Sequence, residues 1–304
     1  MTTQKILPFE QHMSKSNRRK YLLERVSKKV FLGCALLSVV SLLLIVGFVL
    51  MKGANPFLSG DYQILDFLLG KQWLPSEGKY GIFPMIVASL YATIGAIIIG
   101  VPIGLFTAIF LAEVAPKKVA KIVSPAVQLL AGIPSVLFGV FGLAIIVPFL
   151  QQNLSLARGQ SLLAVIVVLA IMMLPTIVTV AETAIRAVPK SYREGSLALG
   201  VSQIGTIFKV VVPAAKSGIL AAIVLGLGRA IGETMAVILV AGNALILPTS
   251  LTDSVRPMTT NIALEMGYAS GTHQEMLFAT GIVLFSFILI LNFVLARLSA
   301  KGVS

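Results

Sequence analysis

Val30–Met51 reads VFLGCALLSVVSLLLIVGFVLM, a run without a single charge. A helix rises about 1.5 Å per residue, so roughly 20 apolar residues cross a hydrocarbon core of about 30 Å. Working outward, five further segments have the length and apolarity to do the same: Ile82–Ala112, Ile122–Leu150, Leu162–Ile185, Gly218–Gly242 and Met276–Ala296. The 304 residues are 57% hydrophobic and 12% charged, with mean hydropathy +0.96. Soluble domains carry about a quarter charged residues. The fold class expected is therefore an all-α membrane protein with six transmembrane helices. Pro102, Pro134 and Pro175 fall inside the second, third and fourth spans, where packed neighbours can satisfy the backbone groups that proline frees.

Lysine and arginine set the orientation. With the N-terminus cytoplasmic, inside segments carry 18 of them and outside segments carry five, Lys52, Lys71, Lys79, Arg158 and Arg256. That bias predicts both termini in the cytoplasm. It also accounts for the net charge of +12 without nucleic acid, and it sets the basic segment with Arg18, Arg19, Lys20, Arg25, Lys28 and Lys29 against anionic headgroups. Nearly thirty residues precede the first span and no A-x-A site follows it, so the reading is an anchor rather than a signal peptide. The expected organisation is a basic cytoplasmic segment at 1–29, a peripheral helix at 30–51, an outer segment at 52–81 and a transmembrane core at 82–298. That core would carry a cytoplasmic loop at 186–216 and an outer loop at 243–275. In the outer segment Trp73 and Tyr80 suit an interfacial aromatic belt. Pro248 and Pro257 mark the outer loop as folded.

Several function classes are excluded. The chain has no G-x-x-x-x-G-K-[ST] phosphate loop, no G-x-S-x-G and no H-E-x-x-H. The single cysteine, Cys34, forbids an intramolecular disulfide, and the two histidines, His12 and His273, lie in segments on opposite sides. No enzyme activity and no cofactor of its own are expected.

Two features carry chemistry. The first is Gly228-Arg229-Ala230-Ile231-Gly232-Glu233-Thr234 inside the fifth span. A charge at the centre of a span costs about 2.5–3.5 kcal/mol on insertion scales, so Arg229 and Glu233 must face protein or water. Four residues apart on one helix, they share a face and can pair. A guanidinium presents a planar fork suited to tetrahedral oxyanions. Gly226, Gly228 and Gly232 would let neighbouring helices approach closely. Ser89, Thr93 and Ser135 are weaker pathway candidates, because an intrahelical hydroxyl commonly bonds back to its own backbone. Glu182 and Arg186 are again four apart and suit an ion pair at the cytoplasmic end of the fourth span.

The second feature is Arg193-Glu194-Gly195-Ser196-Leu197-Ala198-Leu199-Gly200, followed by Val210-Val211-Val212-Pro213. It reads as two short helices joined at a glycine able to take the left-handed conformation. An elbow of this kind offers a compact knob to a soluble partner.

That spacing resembles the importer permeases of the ATP-binding-cassette family, whose cytoplasmic E-A-A-x-x-x-G is followed after nine residues by I-x-L-P. Glu194 and Gly200 match the first part and Val210, Val212 and Pro213 the second, with Gly195-Ser196 in place of two alanines. Ala131-Gly132-Ile133-Pro134-Ser135-Val136, Glu182 to Pro189 and Gly228 to Val237 extend the likeness to the phosphate-specific members of the family, from about residue 82 to the end. The resemblance implies a type I importer fold of the MetI-like kind, one peripheral helix plus a five-helix core. It implies a PstA-like second permease, two PstB-like ATPase subunits that bind ATP and Mg, and a PstS-like phosphate-binding protein outside the membrane. It further ties Arg229 and Glu233 to phosphate passage, with Ser135 and Thr234 as the other expected pathway residues, and places ATPase coupling at Glu194, Gly195, Ser196, Ala198 and Gly200. The same architecture would serve sulfate or molybdate, and an ATP-independent anion channel or carrier is the alternative of another class.

Overall fold

The computed structural model describes residues 15–300, and the chain divides after Met51 into two units. The first holds most of α1 (Lys15–Leu58), whose apolar stretch is exposed along its length, as befits a helix solvated by lipid. The expected basic segment is thus helical from Lys15 onward, while residues 1–14, with His12, lie outside the described residues.

The second unit is built around α7 (Leu162–Arg186), the most deeply buried span. Ser161 begins it, its Oγ accepting from the Ala164 N–H at 3.3 Å, a standard N-cap. Helix α3 (Phe83–Ile109) packs against α7 along a ladder of small residues spaced by four: Ala88, Ala92, Ala96, Gly100, Gly104 and Ala108, all buried. Without a hydrophobic drive between helices in lipid, such small faces gain their energy from close backbone approach. A Cβ on Gly104 would sit 2.8 Å from Ile177 Cγ2, so the groove is already full. Helix α11 (Lys216–Gly232) packs on α7 as well, with Gly226 closed against Ile177. Helix α14 (Thr272–Ala300) completes the long helices.

Two expected spans are broken. The third begins at Ser135 rather than Ile122: α4 (Lys117–Ala131) stops before Gly132-Ile133-Pro134, and α5 (Ser135–Phe141) continues through a π-turn into α6 (Val147–Asn153). Proline lacks the N–H that would continue the helix and restricts the residue before it. Helix α4 has no fully buried residue and lies on the bundle surface beside α7. The fifth span stops at Gly232, and α12 (Met235–Val240) starts afresh. Among the described residues, five helices are long and apolar enough to cross a membrane. A sixth span forms if α11 is joined to the preceding stretch Gln203–Ala214, from which it bends by 71°.

The end of the bundle opposite Glu194 is capped by α2 (Ile64–Leu69), a hairpin of β1 (Trp73–Leu74) and β2 (Lys79–Tyr80), and α13 (Met258–Glu265). Trp73 and Tyr80 are not an interfacial belt. They are buried against Phe67, Met258 and Met276. The indole Nε1 of Trp73 donates to Glu265 Oε2 at 2.7 Å, beside His273 Nε2 at 2.8 Å from the same oxygen, and Arg256 Nη1 donates to Oε1 at 2.8 Å. One buried carboxylate thus fastens three outlying segments. The loop 243–275 is folded, as its prolines suggest.

Candidate functional site

The break in the fifth span separates the two charges expected to pair. Glu233 has left the helix, with extended backbone at φ −70° and ψ 131°. Its carboxylate reaches forward along the chain, where Oε1 accepts from the Ala236 N–H at 3.1 Å and caps the first turn of α12. Its carbonyl accepts from Thr259 Oγ1 at 3.1 Å. Arg229 stays on α11, half-buried, and no carboxylate among the described residues pairs with it. It shares an uncovered face with Leu225, 55% exposed, and Gly232. Gly228 and Gly232 meet nothing within 4 Å of a Cβ position, so of the three glycines only Gly226 serves close packing here.

Glu233 faces a cavity of about 20 Å³ lined also by Ser89, Thr93 and Thr259. The volume suits one water and no larger anion. Ser89 donates back to Met85 O at 2.8 Å, the outcome expected of a helical serine, and also accepts from the Met258 N–H at 3.0 Å. Thr234 is half-buried at the break, its Oγ1 donating to Gly232 O at 3.3 Å. Ser135 opens α5 after Pro134 and does not line the Glu233 cavity.

At the other end, α8 (Lys190–Ala198) and α9 (Gln203–Thr206) form the elbow. Gly200 has φ +81°. Around it Val201 N–H donates to Ser196 O at 3.2 Å and Gly200 N–H to Leu197 O at 2.9 Å, the paired bonds of a Schellman turn. Ser202 Oγ then accepts from the Gly205 N–H at 3.2 Å to start α9. Glu194, Gly195, Ala198 and Gly200 face outward, together with Leu199, which is 85% exposed. Ser196 does not. It is buried, its hydroxyl 2.9 Å from that of Thr206, so it holds the elbow's two arms together. Beneath, Ile207 and Val211 pack with Ile185, Val188 and Ile219 and fasten the second arm to the bundle.

Sequence reasoning missed the anchor of the first arm. Arg193 donates through Nε to both oxygens of Glu113 at 3.1 Å, and through Nη2 to Ile185 O at 2.9 Å. Hydrogen bonding to Glu113 holds this guanidinium above its ordinary pKa. Glu113 lies 80 residues away, in the π-turn (Phe110–Val114) that ends α3. A lone carboxylate closing a long apolar run was the available signal. Arg186 adds a parallel tie, through Nε to Glu182 Oε1 at 2.9 Å, as expected, and through Nη2 to Leu111 O at 2.6 Å. Ser124 of α4 donates to the same Glu182 oxygen at 2.9 Å. Arg193 thus ties the knob to the end of α3 and to α7, while Arg186 and Ser124 bind α7 to the end of α3 and to α4. Glu113→Ala should cost about 3 kcal/mol of stability by stranding Arg193, read as a lowered thermal midpoint of the purified protein; an unchanged midpoint would show that the pair does not anchor the arm.

Residues 100–302 match the family described as "Binding-protein-dependent transport system inner membrane component". The chain belongs to this family. Among curated relatives, it is 40% identical over 291 residues to the "Probable ABC transporter permease protein YqgH" of Bacillus subtilis (strain 168), covering 93% of this chain and 94% of that one. It is 38% identical over 239 residues to the "Phosphate transport system permease protein PstC" of Pasteurella multocida (strain Pm70), covering 72% of this chain and 75% of that one. Among solved structures, an inward-facing MetNI methionine ABC transporter superposes at TM-score 0.57 with 20% identity, covering 71% of this chain and 93% of that chain. At that identity the likeness shows the MetI-like fold alone. The permease is therefore a multi-pass inner-membrane component of a binding-protein-dependent transport system. The matched region of this permease contains both the elbow and the Arg229–Glu233 break and leaves residues 52–81 outside it.

Proposed function

We propose that this permease carries inorganic phosphate inward, driven by ATP hydrolysis on separate subunits that grip the elbow. The observation that carries the reading is Arg229. A permanently charged, half-buried side chain on a span, without a partner carboxylate among the described residues and on an uncovered face, cannot be left to lipid. A second permease covering that face, with a water-filled path between the two, would satisfy it, and a tetrahedral oxyanion is the ligand its fork fits best. The names of the PstC relatives favour phosphate among such anions. The positive-inside bias puts the elbow in the cytoplasm, where ATP is, and the Glu265-centred cap outside, where a phosphate-binding protein would dock.

In this scheme ATP binding draws two ATPase subunits together. The knob at Glu194, Gly195, Ala198 and Gly200 moves with them, and the Arg193–Glu113 and Arg186–Leu111 ties carry that motion into α3 and α7. The pathway opens to the outside, the anion passes Arg229, and hydrolysis resets the inward-facing state. Glu233 acts at the hinge of the broken span rather than as a clamp on Arg229. Labelled phosphate uptake by vesicles holding the complex, competed by sulfate and molybdate, tests the substrate. Unlabelled phosphate alone should compete at equal concentration, and uptake should stop when ATP is depleted. Competition by sulfate or molybdate instead would assign another oxyanion, and uptake persisting without ATP would remove the ATPase coupling.

A further inference from the structure

At the end of the bundle opposite the elbow a cavity of about 600 Å³ opens in the segment that the family match leaves out, lined by Tyr62, Asp66, Phe67, Lys71, Tyr80 and Met276 among others. That volume is in the range of small-ligand sites, about 300–1,000 Å³. Its floor is aromatic: Phe67 and Tyr80 are buried, and Tyr62 meets Tyr80 edge-on at 5.5 Å between ring centroids. Its rim holds charges of both signs that do not satisfy each other. Among the described residues neither Asp66 nor Lys71 makes an ion pair, whereas Lys79 is committed to Glu77 at 2.8 Å.

Depth and flank specify the ligand further. Tyr80 and Gly81 lead directly into α3, and Met276 lies just inside the start of α14, so the cavity is level with the ends of two spans, where headgroups lie. Helix α2 turns Asp66 and Phe67 to the cavity while Ile64, Leu65 and Leu69, all more than half exposed, point elsewhere. Exposed leucines at headgroup depth bury themselves in the acyl region, which leaves Asp66 on the cavity side. The cavity and the apolar strip therefore present one amphipathic surface.

We propose that this cavity binds the head of a zwitterionic phospholipid, its ammonium at Asp66, its phosphate at Lys71 and an acyl chain along Leu65 and Leu69. The inference rests on the membrane spans and not on which anion is carried, so it stands or falls apart from the phosphate reading. The test is native mass spectrometry of the full chain with phosphatidylethanolamine or phosphatidylglycerol added at equal amounts. Phosphatidylethanolamine should be retained preferentially, and Asp66→Asn with Lys71→Gln, which removes both headgroup contacts, should reduce its retention at least about tenfold. Both side chains are exposed, so packing is untouched. A second variant, Leu65→Asn with Leu69→Asn, keeps the charges and should also lose lipid. Equal retention of the two lipids, or unchanged retention in either variant, would overturn the proposal. So would displacement by glycerophosphoethanolamine at lipid-equivalent concentration, which marks a soluble-ligand site. Loss of binding-protein-dependent uptake in the charge variant with phosphatidylethanolamine still bound would reassign the cavity to a protein contact and likewise overturn it.

Discussion

Arg229→Gln should reduce phosphate uptake to the background of empty vesicles while the permease still assembles with its partner subunits. The expectation rests on what Arg229 does not touch. Had it been locked to Glu233, removing it would strand a carboxylate inside the membrane, and lost uptake would be indistinguishable from lost folding. Glu233 instead spends Oε1 on the Ala236 N–H, and its position is fixed by the helix break and by Thr259 on its carbonyl. Glutamine at 229 keeps much of the stem and removes only the charge, so fold and assembly should survive. Arg229→Lys keeps the charge but loses the bidentate fork. It should retain a fraction of the uptake rate with a raised KM. Unchanged uptake in Arg229→Gln would leave the residue as a mere interface contact and remove the main support for the anion pathway.

The contrast between Arg229 and Glu233 also shows how far local sequence patterns reach. Transmembrane length is a property of windows, and most of the spans emerged where hydropathy placed them. The ladder from Ala88 to Ala108 was written at spacing four. The breaks were not legible in the same way, because a hydropathy window averages across Gly132-Ile133-Pro134 and across Glu233-Thr234. The i,i+4 argument for an ion pair presupposed the continuous helix that Glu233 ends. What stabilises that ending is an α13 threonine 26 residues further on, and a contact of that kind has no local signature.

The elbow shows the reverse balance. Its glycine, its two arms and their spacing could all be read directly, since a Schellman turn is encoded within half a dozen residues. Its attachment could not, because Arg193 finds Glu113 at a separation of 80 residues. The burial of Ser196 is also a matter of packing: only the second arm decides that its hydroxyl faces Thr206. Trp73 belongs with these cases. As an aromatic next to a span it suits the lipid interface, yet Glu265, 192 residues on, supplies a buried acceptor for its indole and draws it inside.

Gly200→Val should abolish co-purification of the ATPase subunits and, with it, uptake. Space is not the reason: nothing lies within 4 Å of where a Cβ would stand. The cost is conformational. At φ +81° a β-branched side chain collides with its own backbone, a penalty of about 1–3 kcal/mol, and the chain can escape it only by unwinding the turn. The Val201–Ser196 and Gly200–Leu197 bonds would then be lost, and α8 would no longer present Glu194, Gly195 and Ala198 at a fixed angle to α9. Gly200→Asn tests that account, because asparagine tolerates the left-handed region and should keep most of the docking. Gly195→Ala supplies the other control. Position 195 is exposed, helical and open, so alanine there should stabilise α8 by roughly 0.5–1 kcal/mol and leave assembly intact. If Gly200→Asn fails as completely as Gly200→Val, the partner reads the bare glycine surface and the backbone argument is wrong. If Gly195→Ala alone blocks docking, the contact is centred on the α8 face rather than on the turn, and the ATPase grips the first arm from the side.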